Sequence, residues 1–367
     1  MKKLSGLLVA GAMTLCVGSY VSAADVTVET VYGSVEISEN PERVCVLDVN
    51  VLDDMDTLEL GEYVTTVMHK KMMPSYLEEY YNSDQIIVLQ KVRNANKGQN
   101  GEKTEKEAQT ADGAKAENAA ADEDPYELYY SIDAELIIAS AETVDEDLYA
   151  VLSQIAPTVV LDYAMNYETG MYDGVKENAR TIASIWGMEK KVDELTADYD
   201  TVYQQLSEKL AGVSGVILSS GLDSGRLQIV SNKEEQDGKE VTKATIEKHG
   251  QMLTELGMVL VSDELPEEVA AASVFEKNAE EEVVAQKSQT IAAWVDEANP
   301  DYVILTDRSF ASVEAAKAEG YTCEALENMA LYQEGRVCEM SADGNIGTGG
   351  LHGTFMQLDE LKAFFLE

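Results

Sequence analysis

The period of apolar positions changes repeatedly along the chain. "VTVETVYGSVEIS" (26–38) alternates apolar and polar residues, and its "YGS" predicts a hairpin turn. "NPERVCVLDVNVLDDMDTLEL" (40–60) reads as a turn, a buried strand and then a helix with apolar residues at helical spacing. "EYVTTVMH" predicts a strand, "SYLEEYYN" a short helix and "DQIIVLQKV" another strand. Residues 93–124 contain no aromatic and no branched apolar side chain. Such a run buries too little surface to offset the entropy of ordering, so it predicts a flexible surface insertion.

Two later segments repeat one pattern. "IDAELIIAS" (132–140) and "NPDYVILTD" (299–307) each place an acid ahead of an apolar run that ends in a small or polar residue. Each reads as a helix end feeding a buried parallel strand. Around the first lie a short helix in "PYELYYS", a helix around "VDEDLYAVLSQI" and the strand "TVVLD". Around the second lie the strands "GVILSS", "RLQIVS", "MVLVSD" and "RVCEMS" and the helix "TKATIEKHGQMLTELG". A helix around "SVEAAKAEG" and a terminal helix "TFMQLDELKAFFLE" complete that half. Between the halves, "GVKENARTIASIWG" is amphipathic, and "MEKKVDELTADYDTVYQQLSEKLAG" predicts a helix of roughly 24 residues, about 36 Å long, stopped at Gly212.

The pattern therefore predicts an α/β protein of two lobes held about a cleft by one long helix. The N-terminal lobe spans 24–165, the connecting helices 166–212 and the C-terminal lobe 213–367. Ligands of open α/β sheets bind outside the carboxyl ends of the strands, and both lobes would present such ends to one cleft.

Charge narrows the partners. The 367 residues carry 68 acids against 27 bases, a formal charge of −41. Nucleic acid and anionic lipid repel such a surface. The start of the chain reads as a secretory signal peptide over residues 1–23: a basic "MKK", a short apolar stretch and "VSAAD", with cleavage expected after Ala23. Lipidation at Cys16 is the less favoured alternative, because Leu15 is not the small residue a lipobox needs before its cysteine. The expected location is extracytoplasmic. Cys45 lies in a buried strand pattern; Cys323 and Cys338 flank a helix-and-turn segment, as a disulfide or as two free thiols.

Catalytic signatures are lacking: no GxSxG, P-loop, HExxH or strand-linked GxGxxG occurs. The glycine-rich "GTGGLHG" (347–353) follows no clear phosphate-binding geometry. His69, His249 and His352 fall in loops or near element ends, and the scarce bases Lys70, Lys248, Arg226 and Arg308 are placed to meet an anionic ligand. Arg308 stands out, because it directly follows "YVILTD" and arginine forms charge-assisted bonds to carboxylate or catecholate oxygen.

In order along the chain, "VTVETVYGSVEISENPERVCVLDVNVLDDMDTLEL", "MHKKMMPSYL", "QIAPTVVLD", "ARTIASIWGMEKKVDEL", "NPDYVILTDR" and "GTGGLHGT" resemble blocks of the class III substrate-binding proteins of ABC importers. The likeness is to the branch that binds ferric siderophores such as petrobactin, and it covers about residue 27 to the end, apart from the insertion. It implies two Rossmann-like lobes joined by a backbone helix, the class III periplasmic-binding-protein fold. It also implies a monomer that binds an iron chelate in the cleft and delivers it to a permease, with no cofactor and no enzymatic step. Lys70 and Arg308 occupy family positions, and Lys248 with His249 stands where the family has an arginine before an aromatic residue. Ala141 and Glu142 replace another family arginine, "VAQKSQT" a His-Gly pair, and "DGNIG" an aromatic-led glycine run. These departures point toward a neutral or less charged siderophore, haem, or another metal complex. Family members dock through one acid per lobe. Glu127 matches the first; the second position falls on Ala293, with Glu297 one turn later. The competing readings are direct binding of a divalent metal by the three histidines with carboxylates, and a secreted enzyme that reuses the two-lobed shell.

Overall fold

The computed structural model describes residues 25–69, 73–89, 126–163, 170–230, 234–236, 239–241, 244–261, 265–275, 279–307, 310, 312–341 and 349–367. For 25, 234–236, 239–241 and 244–249 it describes the backbone alone. The signal segment, Cys16, Lys70, Arg308 and the insertion at 93–124 lie outside the described residues.

The chain opens with an antiparallel hairpin, β1 (Asp25–Thr30) and β2 (Gly33–Ser38), paired Val28 to Val35 and Thr30 to Gly33. Gly33 has φ +106°, which an L side chain rarely adopts, and this permits the two-residue link at Val31 and Tyr32. The first sheet contains β3 (Val44–Val46), β4 (Val64–Met68), β5 (Ile87–Leu89), β6 (Leu136–Ser140) and β7 (Thr158–Leu161). Its order is β5-β4-β3-β6-β7, and every pairing is parallel. The side-chain period of two explains its continuous apolar runs, since both faces are buried. Val44, Val46, Leu136, Ile138 and Val159 enter one core, while Cys45, Ile137, Ala139 and Val160 enter the core on the other face.

The second sheet is built from β8 (Ser214–Gly221), β9 (Arg226–Ile229), β12 (Val259–Leu260), β13 (Tyr302–Asp307) and β14 (Val337–Met340). A separate small hairpin is formed by β10 (Glu234–Gln236) and β11 (Lys239–Val241). The parallel order is β12-β8-β13-β14, and β9 folds back antiparallel on β8. Alternation again divides two cores: Val303, Leu305 and Val337 face one, Ile304 and Cys338 the other. Cys323 belongs with Val303 and Val337, so the sheet separates it from Cys338, and Cys45, Cys323 and Cys338 are all buried free thiols. Burial pushes the Cys45 and Cys338 thiols up to about 12, so neither carries a nucleophilic thiolate at neutral pH.

Three of the described helices link the sheets: the two expected over 166–212 and the C-terminal one. Helix α1 (Val49–Thr57) follows β3 and belongs to the first lobe. Helix α2 (Met171–Ser184) begins in a core of the second sheet, through Met171 and Tyr172, and ends in a core of the first, through Val175, Ala179 and Ile182. Helix α3 (Glu189–Leu210), the long helix, buries Val192 in the first lobe and Leu206 and Leu210 in the second. After α4 (Ala244–Glu255) and α5 (Glu281–Ala298) of the second lobe, the C-terminal helix α6 (Leu351–Phe365) seats Leu351 and Phe355 in the first lobe and Leu358, Leu361 and Phe365 in the second. The rings of Tyr199 and Phe355 stack 3.9 Å apart where α3 meets α6. Periodicity marks each helix but not the lobe that covers each turn.

Candidate functional site

Each sheet has a switch point, where the order of connections reverses. In the first it lies between β3 and β6, and in the second between β8 and β13. Crevices of this kind are where open α/β sheets take ligands.

At the first switch point, Asp48 leaves β3, and its carboxylate accepts the Asn50 N–H at 2.8 Å, capping α1. Leaving β6, the buried Ser140 accepts the Glu142 N–H on its hydroxyl at 3.0 Å, and Ala141 and Glu142 are exposed. His69 directly follows β4, and its N–H donates to the Leu89 carbonyl at 2.7 Å. Beside this edge, the Tyr81 hydroxyl donates to the Met68 carbonyl; burial, with Asp48 adding to it, pushes the phenol up to about 12.

The second switch point is organised by Asp307, which is 3% exposed. Its carboxylate accepts the Ser220 hydroxyl at 2.8 Å, the Leu222 N–H at 3.0 Å and the Phe310 N–H at 3.0 Å. One side chain thus fixes the exits of both β8 and β13, and the chain between Asp307 and Phe310 includes Arg308. Asp307 looks in the sequence like one more polar strand terminus; the Ser220 and Leu222 donors that give it its role lie 87 and 85 positions away. Arg226 begins β9 opposite Gly221, with its guanidinium 4.7 Å from the Phe275 ring centroid, and the Lys287 ammonium lies 5.4 Å from the same centroid. Lys248 and His249 fall on α4, with side chains outside the described set.

The carboxyl-end side of the first sheet is tied to the segment that follows β14. Asn50 accepts the Gly349 N–H at 2.6 Å, Asp54 the Leu351 N–H at 2.7 Å, and Asp53 the His352 and Gly353 N–H groups at 2.8 and 3.0 Å. The Tyr76 hydroxyl donates to Asp53 at 2.8 Å, and the Tyr76 ring stacks on His352 at 4.1 Å. The Tyr163 hydroxyl donates to Asp54 at 2.5 Å. Both aspartates are fully buried. Burial, with the neighbouring Asp53 next in weight, holds the Asp54 carboxyl well above the usual carboxylate range, against the lowering pull of Tyr163 and the Leu351 N–H. The "GTGGLHG" motif thereby gains a local reason: a Cβ at Gly350 would lie 2.6 Å from Asp53 Cγ and 2.8 Å from the Asn50 carbonyl oxygen. His352 is therefore part of an inter-lobe joint. Among the described residues, no group of three or more His, Cys, Asp or Glu is arranged to hold a metal ion.

Glu127 opens the short helical turn Glu127–Ser131, and Glu297 lies in the last turn of α5; both are exposed. Among the described residues, no helix is long and apolar enough to cross a membrane.

No protein-family model matches the sequence, and a search of curated proteins found no match. Solved structures do match along nearly the whole chain. The siderophore-binding protein BauB, solved with two molecules of acinetobactin and ferric iron, aligns with a TM-score of 0.58 at 20% identity, covering 93% of this chain and 99% of BauB. The periplasmic catecholate-siderophore binding protein VctP of Vibrio cholerae gives 0.56 at 16% identity, with 93% and 100% covered. The petrobactin-binding protein YclQ of Bacillus subtilis gives 0.56 at 19% identity, with 94% and 99% covered. The chain has the two-lobed fold of these binding proteins. That agrees with the two Rossmann-like lobes the resemblance implies, and adds α6 to the connecting helices expected over 166–212.

Proposed function

We propose that the protein is an extracytoplasmic solute-binding protein that captures a ferric-siderophore complex in the cleft between its lobes and hands it to an ABC importer. No bond is made or broken. The observation that carries this reading is the pairing of two switch points in one two-lobed molecule, with Asp307 tying the exit of β8 to the end of β13, the strand that Arg308 follows in the sequence. The likeness in fold to three siderophore-binding proteins supports the same ligand class.

The acids at the first switch point refine the ligand. Asp48 and Glu142 stand at the exits of β3 and β6 and disfavour a highly anionic chelate there. A chelate of low net negative charge, met by Arg308 and the neighbouring bases from the second lobe, fits this asymmetry. Intrinsic fluorescence provides the test, because Trp186 and Trp294 pack with opposite cores. Titration with ferric siderophores of graded charge should give saturable quenching, strongest for the less anionic ones. Ferric iron without chelator should give none. Saturable binding of bare metal, or no binding by any chelate, would replace this reading.

Delivery would use Glu127 and Glu297, meeting basic residues of a permease. Glu127→Arg is expected to abolish permease-dependent uptake through repulsion while ligand affinity stays unchanged. Normal uptake by that variant would remove Glu127 from the docking surface.

A further inference from the structure

Helices α2 and α6 share an unusual start. Each begins after a glycine, Gly170 or Gly350, and neither glycine has a side chain to cap the exposed N–H groups of the first turn. Both helices receive a carboxylate from a distant part of the chain instead. At α6 the donors are the N–H groups of Leu351, His352 and Gly353, and the acceptors are Asp53 and Asp54 of the first lobe. At α2 the Met171 N–H donates to Glu255 of the second lobe at 2.5 Å, and Gln251 steadies that carboxylate at 2.7 Å.

The directions are opposed. Helix α6 starts in the first lobe and ends in a core of the second, while α2 starts in the second lobe and ends in a core of the first. A rotation of one lobe against the other would carry each helix with the core that grips its far end, pulling its first turn away from the capping acid. The exposed N–H groups and the half-positive helix end would then lose their acceptor.

We propose that this reciprocal pair of caps, Asp53 with Asp54 on α6 and Glu255 on α2, is the latch that sets the relative orientation of the two lobes. The Asp53 joint also takes in Tyr76. Tyr76 belongs to the segment that continues from the carboxyl end of β4, and it joins Asp53 by its hydroxyl and His352 by its ring. A shift of that segment moves an element of the latch.

The test uses the full-length protein, hydrogen exchange, and spin labels placed at Glu36→Cys and Glu334→Cys, both exposed sites in opposite lobes. Asp53→Ala should raise exchange at 352–354 at least tenfold, and Glu255→Ala should do the same at 171–174. Amides of β3, β6, β8 and β13 should stay within about twofold, and the distance distribution between the labels should broaden. Gly350→Ala is the independent probe if Asp53→Ala fails to fold. At φ −92° alanine meets no backbone strain, so the variant acts by wedging its Cβ against Asp53 and the Asn50 carbonyl oxygen, at the same joint. It should reproduce the local exchange and the broadened distances, whereas Glu255→Gln, which keeps an acceptor oxygen, should restore protection at 171–174. Exchange that rises uniformly across both sheets, or a label distance that stays as narrow as in the parent protein, would overturn the proposal.

Discussion

The two copies of the helix-to-strand junction, at 132–140 and 299–307, are alike at the start of the strand and unlike at its end. At the start, each acid holds the beginning of the neighbouring strand. Glu135 accepts the Glu42 and Arg43 N–H groups at 2.7 and 3.3 Å, just ahead of β3. Asp301 accepts the Ser214 N–H and hydroxyl at 2.8 and 2.7 Å, at the first residue of β8. These hydrogen bonds, led by those from the Glu42 and Ser214 N–H groups, hold both carboxyls below the ordinary range. At the far end, β6 finishes in Ser140 and the exposed Ala141 and Glu142, whereas β13 finishes in the buried Asp307, with Arg308 next in the sequence. The acid ahead of the strand is repeated because the sheet needs its adjacent strand anchored. The exits are held differently, Asp307 tying β13 to β8 while Ser140 caps only its own turn, so there the copies diverge.

If the strand bodies are equivalent parts of two cores, truncating each should cost the same. Ile138 and Ile304 are 0% and 1% exposed. Ile138→Ala and Ile304→Ala should each destabilise by about 2–5 kcal/mol in denaturant unfolding. A cost confined to one of them would show that the two strands are not equivalent.

The strand exits should differ instead. Arg308→Ala is expected to weaken chelate binding by about 1.5–3 kcal/mol, the range for a hydrogen bond to a charged group. Glu142→Ala at the matching exit should leave affinity for a weakly charged chelate nearly unchanged and raise it for an anionic one. Isothermal titration with the same ligand series separates these outcomes. Equal losses at both exits would erase the asymmetry.

The anchoring acids give the smallest effect. Glu135→Gln and Asp301→Asn should each cost about 0.5–1.5 kcal/mol at neutral pH, as for a typical hydrogen bond. Since both carboxyls are depressed on folding, their contribution is present above the unfolded carboxylate pKa and is lost as pH falls through the folded one. Thermal unfolding across that range should show each variant converging on the parent protein in acid. A gap that persists there would assign the loss to packing rather than charge.

Much of this protein was legible along the chain. Strand and helix are written in local periodicity, because a buried parallel strand must be apolar on both faces and a surface helix on one. The repeated junction announced two sheets, and Arg308 was noticed because its place directly after a strand is a local fact. The tertiary structure decided which helices cross between the lobes and which acids leave water. Asp53 and Asp54 read as ordinary polar positions of an amphipathic helix, and Glu255 as one acid among 68. Their roles depend on N–H groups about 300 positions away for Asp53 and Asp54, and 84 away for Glu255. A helix start carries no mark of its partner, so the pairing of glycine cap and distant carboxylate exists only once both cores have closed.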